Sequence, residues 1–124
     1  MIAADTSSLA AYLKGEAGTD AEKLDDALAG HTLALPPVVV TEILSDPANA
    51  EVTRHHIRDV PILEPTLGYW ERAGALRRLL RTRGIKAKLG DALIAQSCID
   101  HDVALITRDR DFRHFAKHCG LKLA

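Results

Sequence analysis

The sequence predicts an α/β fold, a sandwich of helices around a mainly parallel sheet. Short apolar runs at residues 2–4, 32–35, 61–63 and 103–106 alternate with longer stretches of helical period, the order that parallel strands joined by helices produce. Acidic residues also stand where an apolar run gives way to a helical pattern: Asp5, Glu42, Asp91 and the pair Asp109/Asp111. In an open parallel sheet the carboxyl ends of the strands share one rim, so acids far apart in sequence converge there.

The chain of 124 residues, 47% hydrophobic, suits a single domain with one core of ordinary size. Its formal net charge of −1 lacks the global basic excess of a protein that coats nucleic acid. Any site for a polyanion must therefore be local. Cys98 and Cys119 lack the C-x-x-C spacing of a zinc or redox site, which fits a reducing cytoplasm. Residues 1–5 carry no basic region followed by a long apolar stretch, and no segment reaches the roughly 18 apolar residues of a membrane span. The expectation is a soluble, unprocessed chain.

A strand at residues 2–4 ends at Asp5, after which Ser7 or Ser8 caps a helix through Lys14 that Gly15 stops. A second helix runs from Thr19 or Asp20 to Leu28, with Asp20 and Glu22 at the end its dipole favours and Gly30 beyond it. A strand follows at 32–35. Pro36 and Pro37 end it, and residues 38–44 are best taken as a helix, since proline suits a first helical turn and Pro47 closes the segment. A helix at 48–58 and a strand at 61–63 come next. Residues 66–82 form the longest periodic stretch, with Leu67, Trp70, Ala73, Leu76 and Leu80 assigned to its core face. Gly84 ends it. A helix from Gly90–Asp91 directs Leu93, Ile94, Ser97 and Cys98 inward, residues 103–106 form a buried strand, and a polar turn at 107–112 leads to a helix through His118. Residues 121–123 add a last edge strand.

Each acid alone has an ordinary explanation. Asp91 could cap a helix, Asp109 could form a turn, and glutamate is common on exposed helical faces. Glu42 fits that view worst, because it sits within an apolar stretch and is expected to be partly buried. Jointly the acids are harder to dismiss, since two carboxylates about 4 Å apart at an effective dielectric near 20 repel by roughly 4 kcal/mol. Such a cluster needs protons or a cation. An all-oxygen donor set suits Mg²⁺ or Mn²⁺ rather than zinc, and these ions activate water and offset charge on a phosphodiester.

The blocks Ile2-Ala-Ala-Asp-Thr-Ser-Ser8, Glu42-Ile-Leu44, Gly90-Asp-Ala-Leu-Ile-Ala95 and Ile106-Thr-Arg-Asp-Arg-Asp-Phe112 resemble, in order and spacing, the four signature blocks of PIN-domain ribonucleases, with the VapC toxins of type II toxin–antitoxin systems the nearest match. The resemblance covers essentially the whole chain. It implies a PIN-like three-layer α/β/α sandwich over residues 1–124 and Mg²⁺- or Mn²⁺-dependent endonucleolytic cleavage of RNA. It also implies Asp5 and Asp91 as metal ligands, with Glu42 and Asp109 completing the site or orienting water. Thr6 and Thr107 would hydrogen-bond the carboxylates. The family's Thr-x-acid-x-Asp-Phe pattern favours Asp109 over Asp111 as the fourth acid, with Asp111 left to the metal or to the helix start. A VapB-like antitoxin, a homodimer and a hetero-oligomer with that antitoxin are implied by the resemblance alone. The acidic segment 16–26 and the helix at 48–58 are the expected walls of the antitoxin's groove.

From Glu71 to Gly90 the cations Arg72, Arg77, Arg78, Arg81, Arg83, Lys86 and Lys88 face only Glu71. In the functional interpretation Arg81, Arg83, Lys86 and Lys88 contact RNA phosphates; in the structural one this is a solvated helix face. His114 and His118 lie four apart but lack an H-E-x-x-H arrangement, which argues against zinc. No phosphate-binding glycine loop and no G-x-S-x-G elbow are present. A receiver-like signalling domain is the alternative from another class, although its paired acids after the first strand are represented here by Asp5 alone and Leu63-Glu64 stands where its phospho-acceptor should be. A PIN-like module that binds RNA or protein without cutting is a further one. A phosphatase of the haloacid-dehalogenase type would need a D-x-D pair where Asp5-Thr-Ser stands.

Overall fold

The computed structural model describes residues 1–48 and 50–124. Its elements run in the order β1 (Ile2–Ala4), α1 (Thr6–Leu13), α2 (Thr19–Ala29), β2 (Leu33–Ala34), α3 (Pro37–Leu44), α4 (Ala50–Ile57), α5 (Tyr69–Thr82), α6 (Leu89–Asp100), β3 (Ala104–Ile106) and α7 (Phe112–Cys119). The strands form one parallel sheet in the order β2-β1-β3, with Ile2 opposite Leu33 and Ala104, and Ala3 opposite Ala34 and Leu105. Helices flank it in an α/β/α sandwich, as expected. Because β1 is central and its two neighbours are reached by crossovers in opposite directions, the carboxyl ends of β1 and β3 open onto the switch point of the sheet.

The strands are shorter than their apolar runs, for a reason in the chain. Pro36 has no N–H to extend a ladder, so β2 stops at Ala34. Leu35 instead makes an isolated parallel bridge to Ile62, donating to Pro61 O at 2.9 Å and accepting from Leu63 N at 2.9 Å. The expected strand at 61–63 is reduced to that bridge, since Pro61 likewise lacks a donor. The expected strand at 121–123 is also only a bridge, between Leu105 and Leu123. The helix expected at 48–58 spans Asn49, which lies outside the described residues, and α4 occupies Ala50–Ile57.

Helix α5 corrects the expected face. Gly68 takes φ 85°, a conformation that glycine adopts without strain, and the helix begins after it rather than at Thr66. A Cβ at Gly68 would lie 2.6 Å from Arg72 Nη1. Arg72 itself grips Asp100 of α6 through Nε at 3.0 Å and Nη2 at 2.7 Å. With the register so set, Tyr69, Ala73, Leu76 and Leu80 face inward, and the Tyr69 hydroxyl donates to Leu93 O at 2.7 Å. Trp70, one position and about 100° further round, is 63% exposed, and Leu67 is fully exposed. Neither joins the core.

One apolar cluster joins Ala3, Leu9, Leu24, Val39, Leu80, Ile94, Leu105, Phe112 and Phe115 across the layers. The rings of Phe112 and Phe115 meet at 5.7 Å and bring α7 under the turn that follows β3. Leu80→Ala should lower unfolding stability by about 2–5 kcal/mol in urea titration, as for a fully buried leucine. Trp70→Ala should change it by about 0.5 kcal/mol or less, as at an exposed site. Equal losses would contradict this register.

Candidate metal centre

Asp5 is the buried member of the acidic set, 2% exposed. Its amide donates to Ile106 O at 3.1 Å, which ties the end of β1 to the end of β3. Its carboxylate accepts from three groups: the Ser8 amide at 3.0 Å, the Ser7 hydroxyl at 2.7 Å and the Thr107 hydroxyl at 2.8 Å. Asp5 is thus the N-cap of α1. The expected cap at Ser7 or Ser8 is corrected: both residues serve the carboxylate of the true cap. Burial pushes the Asp5 carboxyl above its ordinary range, these hydrogen bonds pull it back, and Asp109 adds repulsion.

Asp91 lies in the first turn of α6, near the positive end of the helix dipole. It is not the cap, a position taken by Lys88. Its carboxylate comes together with those of Asp109 and Asp111, one oxygen from each lying within 4.8 Å of the others. The Asp91 carboxyl is pushed up to about 6, chiefly by burial and next by repulsion from Asp109, with Lys88 opposing the rise and Asp5 and Asp111 adding smaller repulsions. The turn after β3 is built to present its acids. Thr107 Oγ1 accepts from the Asp109 amide at 3.0 Å, and Asp109 Oδ1 accepts from the Asp111 amide at 2.9 Å. Asp111 is the N-cap of α7, yet its side chain makes no cap hydrogen bond, so it remains available to the cluster.

Glu42 departs from expectation in one respect. Helix α3 buries Val39 and Ile43, and Glu42, about 100° from Ile43 around the helix, is exposed. Thr6 Oγ1 still donates to its Oε1 at 2.8 Å. A Cβ at Gly90 would lie 3.3 Å from Glu42 Oε2, so the missing side chain there lets Glu42 reach the start of α6 beside Asp91. Of the expected acids, the structure groups Asp91, Asp109 and Asp111 most tightly, sets Asp5 beneath them and places Glu42 at their edge.

Among the described residues, none of Asp91, Asp109 and Asp111 forms a salt bridge. Three converging carboxylates with no cationic side chain paired to them offer a hard, all-oxygen donor set, which fits a divalent cation of the Mg²⁺ or Mn²⁺ kind. The basic residues divide. Arg81, Lys86 and Lys88 line one open depression with Arg77 and Gly84, while Arg83 turns toward His118, Nη1 to Nδ1 at 2.7 Å. Sequence reasoning passed over Ser7 and Ser8 as ligands of the Asp5 carboxylate. Their position directly after Asp5 was the available signal.

A pH dependence follows from Asp91. Its folded pKa of about 6 lies above the ordinary 3.8, so the folded chain holds this proton more tightly than the unfolded chain does. The resulting stability is complete below about pH 3.8 and is lost as pH rises through about 6. For this half-buried group the loss is about 1 kcal/mol after solvent screening. Asp91→Asn should remove that component of the metal-free stability–pH curve between pH 4 and 7, and Mn²⁺ titrated near pH 6 should release protons measurable by calorimetry in two buffers.

The PIN domain family model matches residues 2–118. The fold superposes on a chain from the crystal structure of VapBC2 from Rickettsia felis bound to a DNA fragment from their promoter, with TM-score 0.76 and 22% identity over 100% of this chain and 98% of that one. It also superposes on a chain of FitAcB from Neisseria gonorrhoeae, with TM-score 0.70 and 18% identity over 99% of this chain and 96% of that one. At such identities these likenesses are of fold. They accord with the helix-flanked three-stranded parallel sheet and leave the receiver-like alternative without support. From the family match across residues 2–118, the chain belongs to the PIN domain family.

Proposed function

We propose that this single domain is a metal-dependent endoribonuclease and the toxin of a type II toxin–antitoxin pair. The observation that carries the proposal is the approach of the Asp91, Asp109 and Asp111 carboxylates to within 4.8 Å above the buried Asp5. Asp5, Asp91, Glu42, Asp109 and Asp111 would hold Mg²⁺ or Mn²⁺. The ion would lower the pKa of a water and offset the charge that builds on the phosphodiester during hydrolysis. Thr107 and Ser7 keep Asp5 in place through its Oδ2, and Thr6 orients Glu42. Glu42 and Asp109 are the candidates to orient the attacking water.

Beside the acids, Arg81, Lys86 and Lys88 line an open depression of about 470 Å³ that gives a polyanion a local landing surface despite the net charge of −1. Arg83 extends this basic edge toward α7. Lys88 lies close enough to Asp91 to lower its pKa, so phosphate held there stands next to the acidic cluster. This adjacency of a cationic track and a carboxylate cluster favours cutting over simple RNA binding.

Antitoxin binding draws support from an apolar groove of about 350 Å³ among Tyr12, Leu13, Leu28, Leu33, His56 and Ile57. It lies where α1, α2 and α4 meet; His56 and Ile57 of the helix expected at 48–58 line it, whereas its α2 residue is Leu28, just beyond the acidic segment 16–26. The VapBC2 complex supports a VapB-like partner. A homodimer, and a hetero-oligomer with the antitoxin, complete the proposal. Among the described residues no helix is long and apolar enough to cross a membrane, and Cys98 and Cys119 are free thiols, in keeping with a cytoplasmic setting.

Purified protein should cut RNA in Mg²⁺ or Mn²⁺ and stop in chelator. Asp5→Asn and Asp91→Asn should each lower the rate by about 100-fold or more, read from the 5′ ends of the fragments. Undiminished cutting by both variants would overturn the assignment. Lys86→Ala and Lys88→Ala should each reduce the slope of log affinity against log salt by about one, measured by filter binding to uncut RNA in Ca²⁺.

A further inference from the structure

Behind the acidic rim a circuit of hydrogen bonds closes on itself. Arg108 stands between Thr107, which holds Asp5, and Asp109, and its guanidinium turns to the start of α2. There Nε donates to Asp20 Oδ2 at 2.8 Å and Nη2 to Asp20 Oδ1 at 3.2 Å, the forked geometry that fixes direction as well as distance. Asp20 Oδ2 also accepts from the Ser8 hydroxyl at 2.9 Å. The Ser8 amide donates to Asp5 Oδ1, Thr107 Oγ1 donates to Asp5 Oδ2, and the peptide bond from Thr107 to Arg108 completes the ring.

Two features set this pair apart from an ordinary surface contact. The Asp20 side chain is only 11% exposed and that of Arg108 34%. Gly18 also makes room for them: a Cβ there would lie 2.5 Å from Asp20 Oδ1 and 3.3 Å from Arg108 Nη2. Isolated surface ion pairs add little to stability, whereas partners lying behind metal ligands act by orienting them.

We propose that Arg108 and Asp20 are positioning residues, whose forked pair, closed through Ser8 onto Asp5, sets how the turn at 107–111 presents Asp109 and Asp111 to Asp91. The proposal rests on the metal-site reading above. Its sign distinguishes it from a through-space charge effect. Removing the Arg108 cation makes the site more negative, which by charge alone tightens cation binding. Loss of positioning weakens it.

The test compares wild type with Arg108→Gln, Arg108→Lys and Gly18→Ala, the last disturbing the fork without altering charge. Two readouts are taken: the Mn²⁺ dissociation constant by calorimetry, and amide exchange at Asp109 in metal-free protein by NMR. Arg108→Gln and Gly18→Ala should bind Mn²⁺ about tenfold more weakly and exchange the Asp109 amide faster. Arg108→Lys, which keeps the charge but loses the fork, should resemble them. Should Arg108→Gln fail to fold by circular dichroism, Gly18→Ala decides. Unchanged or tighter Mn²⁺ binding with unchanged exchange overturns the proposal. Wild type that binds no Mn²⁺, with variants that still exchange faster, removes the metal reading and leaves the positioning of the turn supported.

Discussion

The structure depends on a buried carboxylate, that of Asp5, satisfied by three donors from two separate parts of the chain. A charge removed from water this far costs several kcal/mol unless hydrogen bonds replace its hydration. The Ser8 amide, the Ser7 hydroxyl and the Thr107 hydroxyl provide that replacement. They also join the end of β1, the start of α1 and the turn after β3 at one atom group. Adjacent strand ends are thereby held in register by the residue that forms the floor of the acidic cluster, so fold and site share one constraint.

From that floor upward the acids divide their work. Asp5 is spent largely on the protein, whereas Asp91, Asp109 and Asp111 converge without a paired cation among the described residues. Their mutual repulsion is eased by the first turn of α6 around Asp91 and by partial protonation of Asp91, whose pKa is pushed up to about 6. An acidic rim alone repels any polyanion. Lys88, which lines a basic depression with Arg81 and Lys86, lies near enough to Asp91 to oppose the rise in its pKa and so sets a charge of opposite sign next to the rim.

Much of the element order was legible. Proline and glycine positions marked the ends of α1, α2, α3 and α5, and the helical choice for the segment ending at Leu44 agrees with α3. The errors share a physical origin. The spacing admits Trp70 to the core face because a period of three or four residues can begin at either of two neighbouring positions, and only the contacts of Tyr69 and Arg72 with α6 select between them. The apolar stretch around Glu42 implies partial burial, whereas its angle from Ile43 around α3 leaves it exposed. The strands at 61–63 and 121–123 shrank to bridges, since pairing depends on available donors and on neighbouring backbone as much as on apolar content.

By itself the sequence determined the α/β class, the family resemblance and the identity of the acidic residues, because these rest on local period, on turn-forming residues and on motif order along the chain. Tertiary structure decided which acids meet, which one is buried, that Ser7 and Ser8 serve Asp5, and that Arg108 reaches back to Asp20. Those contacts join residues as many as 102 positions apart. Their geometry arises from the packing of separate elements against the sheet, which no local pattern encodes.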